Sequence, residues 1–156
     1  MEETLAQYQL DGHHLVVEMT ESCMDEEPDR LIELVEGCQR LGIRIALDDF
    51  GSGYSSLWVL LQYPSSIIKL DRSLLLEMMD SADKKNFISS IVFACHRFGK
   101  LVCMEGVETE LQNDMVKETK CDVIQGFHYY QPTELDQLSR LMEHQAEYLK
   151  QTSPIS

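Results

Sequence analysis

The sequence predicts an α/β fold of about five parallel strands with helices between them, and three observations carry that reading. Short β-rich runs alternate with longer segments of helical period, the runs are apolar on both faces, and nearly every run ends near an ionisable or amide residue. Strands apolar on both faces belong to a covered parallel sheet, and a repeating βα order requires right-handed crossovers.

In chain order, an acidic amphipathic opening, Met1 to Gly12, precedes the first strand candidate, His14 to Met19. The other strand candidates are Ile43 to Asp49, Ser66 to Asp71, Leu101 to Val107 and Asp122 to Tyr129. Between and after them, Glu27 to Gly42, Ser55 to Pro64, Ser81 to Gly99, Glu108 to Lys120 and Pro132 to Gln151 have apolar residues three and four apart, the spacing of one helix face. Gly42 and Gly99 read as C-terminal stops, Ser55 or Ser56 as a cap, and Pro64 as the end of its helix. Residues 1–145 form one portion of a single domain, and 146–156 a polar tail. Two architectures fit this order: a five-stranded doubly wound sheet, or part of a (β/α)8 barrel of about 250 residues.

A chain of 156 residues, 44% apolar, suffices for one cored domain and not for two. Its net charge of −14, from 27 acidic and 13 basic side chains, leaves no broad basic surface for a nucleic-acid polymer. A small phosphate ester remains open to it, provided divalent cations sit between carboxylates and phosphate. Cys23, Cys38, Cys95, Cys103 and Cys121 are widely spaced without a CxxC pair and read as free thiols of a reducing compartment. The opening stretch is unlike a signal peptide, and the sequence has no apolar run of about 18 residues, so the expectation is a cytoplasmic protein with no membrane span.

The polar strand ends point to function. Glu18 comes from the first strand, Asp48 and Asp49 from the second, Lys69 and Asp71 from the third, Glu105 from the fourth and Gln125 from the fifth. In parallel βα architecture these ends lie on one edge, so the residues converge. Ionised carboxylates gathered at low dielectric repel and are costly to desolvate, and a hard divalent cation with oxygen ligands resolves both problems. Two cations could be bridged by one carboxylate pair. A receiver-like doubly wound domain also gathers an acidic pair and a lysine, but its lysine comes from the last strand, and Lys69 is on the third of five.

With these residues assembled, the chain resembles the later part of an EAL domain, the phosphodiesterase that opens cyclic di-GMP to linear pGpG. The resemblance rests on "VVEMTES" for the family's E-x-T-E element, "ALDDFGSGYSSL" for its DDFG loop, "IIKLDRS" for K-[IL]-D, "MEGVET" for the EGVET element and "CDVIQGFHYYQP" for CD-x-x-QG, in family order over roughly residues 13 to 135. It implies a partial (β/α)8 TIM-like barrel and a metal-dependent hydrolase with two Mg2+ or Mn2+ ions. It makes Glu18 and Asp48 metal ligands, Asp49 a ligand of the second metal, Lys69 the holder of attacking water or phosphate, and Glu105 a general base or second-metal partner. Gln125 and Asp71 support the site, with Glu21 and Glu108 behind the ligands, Glu21 anchoring the loop that starts at Asp48. It further implies cyclic di-GMP as the ligand, a homodimer through Gly51 to Leu61 including Trp58, and work alongside diguanylate cyclase or sensory domains.

The E-A-[LV] glutamate and the asparagine ligand of the family have no counterpart in the sequence. Five strands cannot close a barrel and leave two edges and an apolar face open, so the expectation is a piece inactive alone that pairs with a copy of itself. The alternative expectation is a non-catalytic module that binds cyclic di-GMP or a partner protein and signals by association. Two smaller departures, Ser65-Ser66 before the lysine element and Tyr130-Gln131 before Pro132, touch no metal ligand, and the second removes a positive charge near the expected substrate.

Overall fold

The computed structural model describes residues 1–20, 28–53, 60 and 64–152 of the chain. It holds helix α1 (Glu2–Tyr8), a 3-10 turn (Gly12–His14), strand β1 (Val16–Thr20), helix α2 (Pro28–Arg40), strands β2 (Arg44–Phe50) and β3 (Ile67–Leu70), and helices α3 (Arg72–Asp80) and α4 (Ala82–Arg97). Strand β4 (Leu101–Met104), helix α5 (Glu110–Thr119), strand β5 (Val123–Ile124) and helix α6 (Leu135–Thr152) complete it.

All five strands pair in parallel, in the order β1-β2-β3-β4-β5. That order decides between the two architectures the sequence left open. A doubly wound sheet reverses its strand order at a switch point and so places helices on both faces. A sheet that advances one strand at a time with right-handed crossovers keeps its helices on one face, as a barrel does.

Burial follows this winding. Ile45, Leu47, Ile68, Leu70, Val102 and Met104 share one core with Leu31 and Val35 of α2, Leu75 and Met78 of α3, Ile88 and Val92 of α4 and Val116 of α5. The alternate residues form the other face. In register across it run Glu18, Ala46, Ile67 and Leu101, then Lys69, Cys103 and Val123. Its centre is closed, with Ala46 at 0% and Cys103 at 5% exposure, whereas Leu101 at 41% and Val123 at 49% are open.

Local signals set the helix ends. Ser81 caps α4, its hydroxyl accepting from the Lys84 amide, and Gly99 follows that helix at φ 69°. Thr109 and Gln112 form a reciprocal capping box at α5. Gly42 stands at φ 74° after α2, the left-handed conformation that suits glycine at a helix stop.

Between β3 and β4 the structure adds a helix that the sequence reading did not place. Helix α3 begins at Asp71, whose Oδ1 accepts from the Ser73 amide at 2.9 Å, and it continues through leucines, glutamate and methionines that favour helix. The strand candidates are also trimmed: β4 ends at Met104 and β5 spans two residues, so Glu105 and Gln125 stand just past the strands that present them. The helix expected over 55–64 lies outside the described residues except for the buried Leu60 and for Pro64. Helix α6 runs on to Thr152, through the first residues read as a tail, and 153–156 are outside the described residues.

Cys38, Cys95 and Cys103 are buried free thiols and Cys121 is a half-buried one, while Cys23 is outside the described residues. Burial pushes the Cys95 thiol up to about 11 and the Cys103 thiol up to about 12, which keeps both protonated and inert.

Asp122 ties β5 to β4. Its Oδ2 accepts from the Val102 amide at 2.7 Å and lies 2.8 Å from His96 Nε2. Burial alone would raise its pKa, but the Val102 amide and His96 outweigh burial and lower it. A folded-state pKa below the unfolded one stabilises at pH above the unfolded value, and the contribution is lost as pH falls through the folded one. Asp122→Asn is therefore expected to lower stability by about 1 to 2 kcal/mol at neutral pH and to flatten the acid limb below about pH 4, read by urea unfolding from pH 7 to pH 3.

Candidate functional site

The two adjacent aspartates are placed by a bulge. Leu47 pairs with Ile68 and Phe50 with Leu70, so three steps along β2 match two along β3. One residue is extra, and Asp49 absorbs it at φ 53°. Aspartate enters the left-handed region more readily than most residues, and a bulge is where a strand stops alternating. In a regular strand Asp49 would follow Leu47 onto the helix-covered face. The extra residue gives that place to Phe50, which is 2% exposed, and leaves both carboxylates at the strand edge.

Around them stand the other strand ends. Lys69 Nζ lies 2.8 Å from Glu18 Oε1, 2.8 Å from Asp48 Oδ1 and 2.9 Å from Glu105 Oε1. Four consecutive strands thus contribute to one charged cluster. The lysine side chain is 8% exposed, against 16% for Glu105, 23% for Asp48 and 49% for Glu18, so the cation is the deepest member and the acids lie above it.

Burial by itself would lower the Lys69 pKa, but contacts from Asp48, Glu18 and Glu105 outweigh it and hold the group well above the ordinary lysine range. Glu105 moves up as well: burial raises it, Lys69 draws it down, and the charges of Asp48 and Asp49 push it up again. One ammonium therefore does not neutralise the carboxylates around it.

Carboxylate oxygens of Asp48, Asp49 and Glu105 all lie within 4.8 Å of one another. Asp48 Oδ1 is buried and has no hydrogen-bond donor among the described residues, its short contact with Lys69 being an ion pair without hydrogen-bond geometry. An all-oxygen donor set, one oxygen of which is buried and held by an ion pair without a hydrogen bond, fits a hard divalent cation such as Mg2+ or Mn2+.

A cavity of about 300 Å³ adjoins Glu105, lined by Asp71, Arg72, Gly106, Glu108, Gln125, Gly126 and Phe127. Arg72 Nη2 donates to Glu108 Oε2 at 3.0 Å, joining the start of α3 to the loop after β4. The backbone at Gly106 makes room, since a Cβ there at φ 73° would stand 2.6 Å from Arg72 Cγ. Gln125 is fixed through its backbone, its amide donating to Met104 O and its carbonyl accepting from the Val107 amide. Gly126 is equally constrained, because a Cβ would lie 2.1 Å from Val107 O.

Of the residues singled out in the sequence, Glu18, Asp48, Asp49, Lys69 and Glu105 come together, and Gln125, Glu108 and Asp71 line the adjoining cavity. Asp71 is engaged as the cap of α3. Glu21 lies outside the described residues, as does most of the expected dimer segment Gly51 to Leu61 with Trp58. Sequence reasoning missed Arg72 and Phe127. The signal for Arg72 was its place directly after the lysine-aspartate element, on the first turn of a helix not then recognised.

Fold and site together define a barrel-type βα protein whose acidic strand-end cluster suits a divalent cation. The family model for the EAL domain matches residues 1–132, and the chain belongs to that family. The sequence is 34% identical over 134 residues to the bifunctional diguanylate cyclase/cyclic di-GMP phosphodiesterase MucR of Pseudomonas aeruginosa, covering 86% of this chain and 20% of the relative. The fold matches solved EAL TIM-barrel structures. A PaMucR phosphodiesterase solved as a c-di-GMP complex aligns at TM-score 0.76 and 34% identity, over 88% of this chain and 56% of that one. Klebsiella pneumoniae BlrP1, solved at pH 9.0 as a manganese/cy-diGMP complex, aligns at TM-score 0.73 and 29% identity, over 80% of this chain and 32% of that one. The chain therefore spans about a fifth of the length of MucR. Among the described residues no helix is long and apolar enough to cross a membrane.

The bulge has a direct test. Asp49→Asn and Asp49→Val remove the same charge, but only valine resists the left-handed backbone, so Val is expected to be less stable than Asn by about 1 to 2 kcal/mol in urea unfolding. Equal stabilities would show that the bulge relaxes without cost.

Proposed function

We propose that the chain carries the greater part of the active site of a cyclic di-GMP phosphodiesterase, which hydrolyses the cyclic dinucleotide to linear pGpG. The observation that carries this reading is the meeting of Glu18, Asp48, Lys69 and Glu105 from four strands within 2.9 Å of one ammonium, beside Asp49. In this proposal Glu18 and Asp48 hold a first Mg2+ or Mn2+ ion, and Asp49 holds a second. Such ions, when bound, neutralise phosphate oxygens and acidify water.

The remaining work belongs to side chains. Glu105, its pKa raised by burial, takes the proton of the attacking water. Water adds to phosphorus as the bond to the ribose 3′ oxygen breaks, and the departing oxygen takes a proton from solvent, leaving a 3′ hydroxyl and a 5′ phosphate. Lys69 donates to a phosphate oxygen on which charge gathers, and Gln125, Glu108 and Asp71 shape the adjoining wall. The chain aligns with 56% of the PaMucR phosphodiesterase chain, so this reading expects these residues to turn cyclic di-GMP over within a completed barrel.

The test is a transplant. Residues 1–132, exchanged for the matching segment of the MucR phosphodiesterase, are expected to support pGpG formation in Mg2+, read by chromatography, while the 156-residue chain alone forms none. Glu105→Gln in the transplant is expected to cut turnover by at least about 100-fold. A transplant that binds cyclic di-GMP in calorimetry but forms no pGpG would favour the non-catalytic module.

A further inference from the structure

The contacts of Lys69 carry an inference about how the site is loaded. Its ammonium has three N–H donors and no acceptor. Carboxylate oxygens of Glu18, Asp48 and Glu105 stand at 2.8, 2.8 and 2.9 Å from it. Three carboxylates thus crowd the ammonium as ion-pair partners, and while they stand there they occupy the approach a phosphate oxygen would need.

The same acids are shared. Asp48 and Glu105 also belong to the group, with Asp49, whose oxygens lie within 4.8 Å of one another. Whatever cation enters that group must take oxygens from Lys69, and two positive charges a few ångströms apart in a poorly solvated site repel. The lysine cannot retreat into solvent to relieve this. Its side chain is 8% exposed, and its strand is paired on both sides, with Ala46 at 0% and Cys103 at 5% exposure flanking it on that face. The ammonium has to stay near the strand edge and turn.

We infer that Lys69 is the resident counter-ion of the site, and that it yields Asp48 and Glu105 to an incoming divalent cation and only then presents its ammonium to a substrate phosphate. Lys69 is on this account a loading switch as well as a hydrogen-bond donor to phosphate. The order of binding follows, cation before cyclic dinucleotide, because the donor for the second is locked until the first arrives. This rests on the metal-dependent reading above.

Calorimetric titration of Mn2+ into the 156-residue chain and into Lys69→Met tests it, with circular dichroism to establish that the variant is folded. Removing the competing charge is expected to tighten Mn2+ binding by about tenfold or more. Equal or weaker binding by the folded variant would overturn the inference, since a lysine that merely organises the acids would loosen the site when lost. A second measurement uses the unaltered chain: the Lys69 Nζ resonance in a 15N-lysine sample should shift as Mg2+ is added, saturating with the binding isotherm. A bound cation that leaves this resonance unmoved sinks the loading switch alone. No cation binding to either protein sinks the metal-dependent reading with it.

Discussion

One ammonium among carboxylates governs the arrangement of this molecule. Four acids at neighbouring strand ends would repel, and each would resist leaving water. Lys69 makes their approach tolerable, and it does so from below, buried under the acids it holds. Its depth depends on the strand beside it. Cys103 pairs with Lys69 in register and Ala46 lies one row beneath, small residues that leave room for a four-carbon stem. A larger side chain at either position would lift the ammonium away from Glu105 or force the strands apart.

The winding of the sheet makes that cluster possible. Since all strands pair in parallel, every C-terminal strand end falls on the same edge, and since strand order follows chain order, each strand end lies beside the next. The bulge at Asp49 then adds a second carboxylate from one strand without sacrificing the core, because Phe50 returns to the covered face. Across the edge, the Arg72 to Glu108 contact joins the first turn of α3 to the loop after β4. Local backbone geometry, packing and charge are thus solved together at the same few residues.

Much of this was legible in the sequence. The five strands showed as apolar runs, and the strand-end residues showed as the polar exceptions to those runs. Gly42 and Gly99 marked helix stops correctly because a left-handed stop needs a residue without a Cβ. Helix α3 escaped because the site role of Asp71 hid its role as a cap, and because nine residues, six of them Leu, Met or Glu, between a strand and another helix show little period. The centrality of Lys69 was also hidden. Sequence order gives the strand end but not the depth, and only the distances and exposures show that the lysine sits under three acids and not beside one. The bulge was half visible: two adjacent aspartates cannot both face one side of a regular strand, but which residue gives way depends on the partner strand.

The chemistry around Lys69 also narrows which cation the cluster suits. Cys103 is the sulfur nearest in register to the lysine, and as a thiolate it would favour zinc. Burial pushes that thiol up to about 12, with the charge of Glu105 adding to the effect, so at neutral pH it remains a neutral wall. Among the described residues no histidine belongs to the Asp48, Asp49 and Glu105 group. What remains is oxygen, held at the end of short side chains whose backbone is fixed by a bulge on one strand and by the Leu70 carbonyl at Glu105. Hard donors on a constrained frame favour a small, hard ion such as Mg2+ or Mn2+ over a thiophilic one.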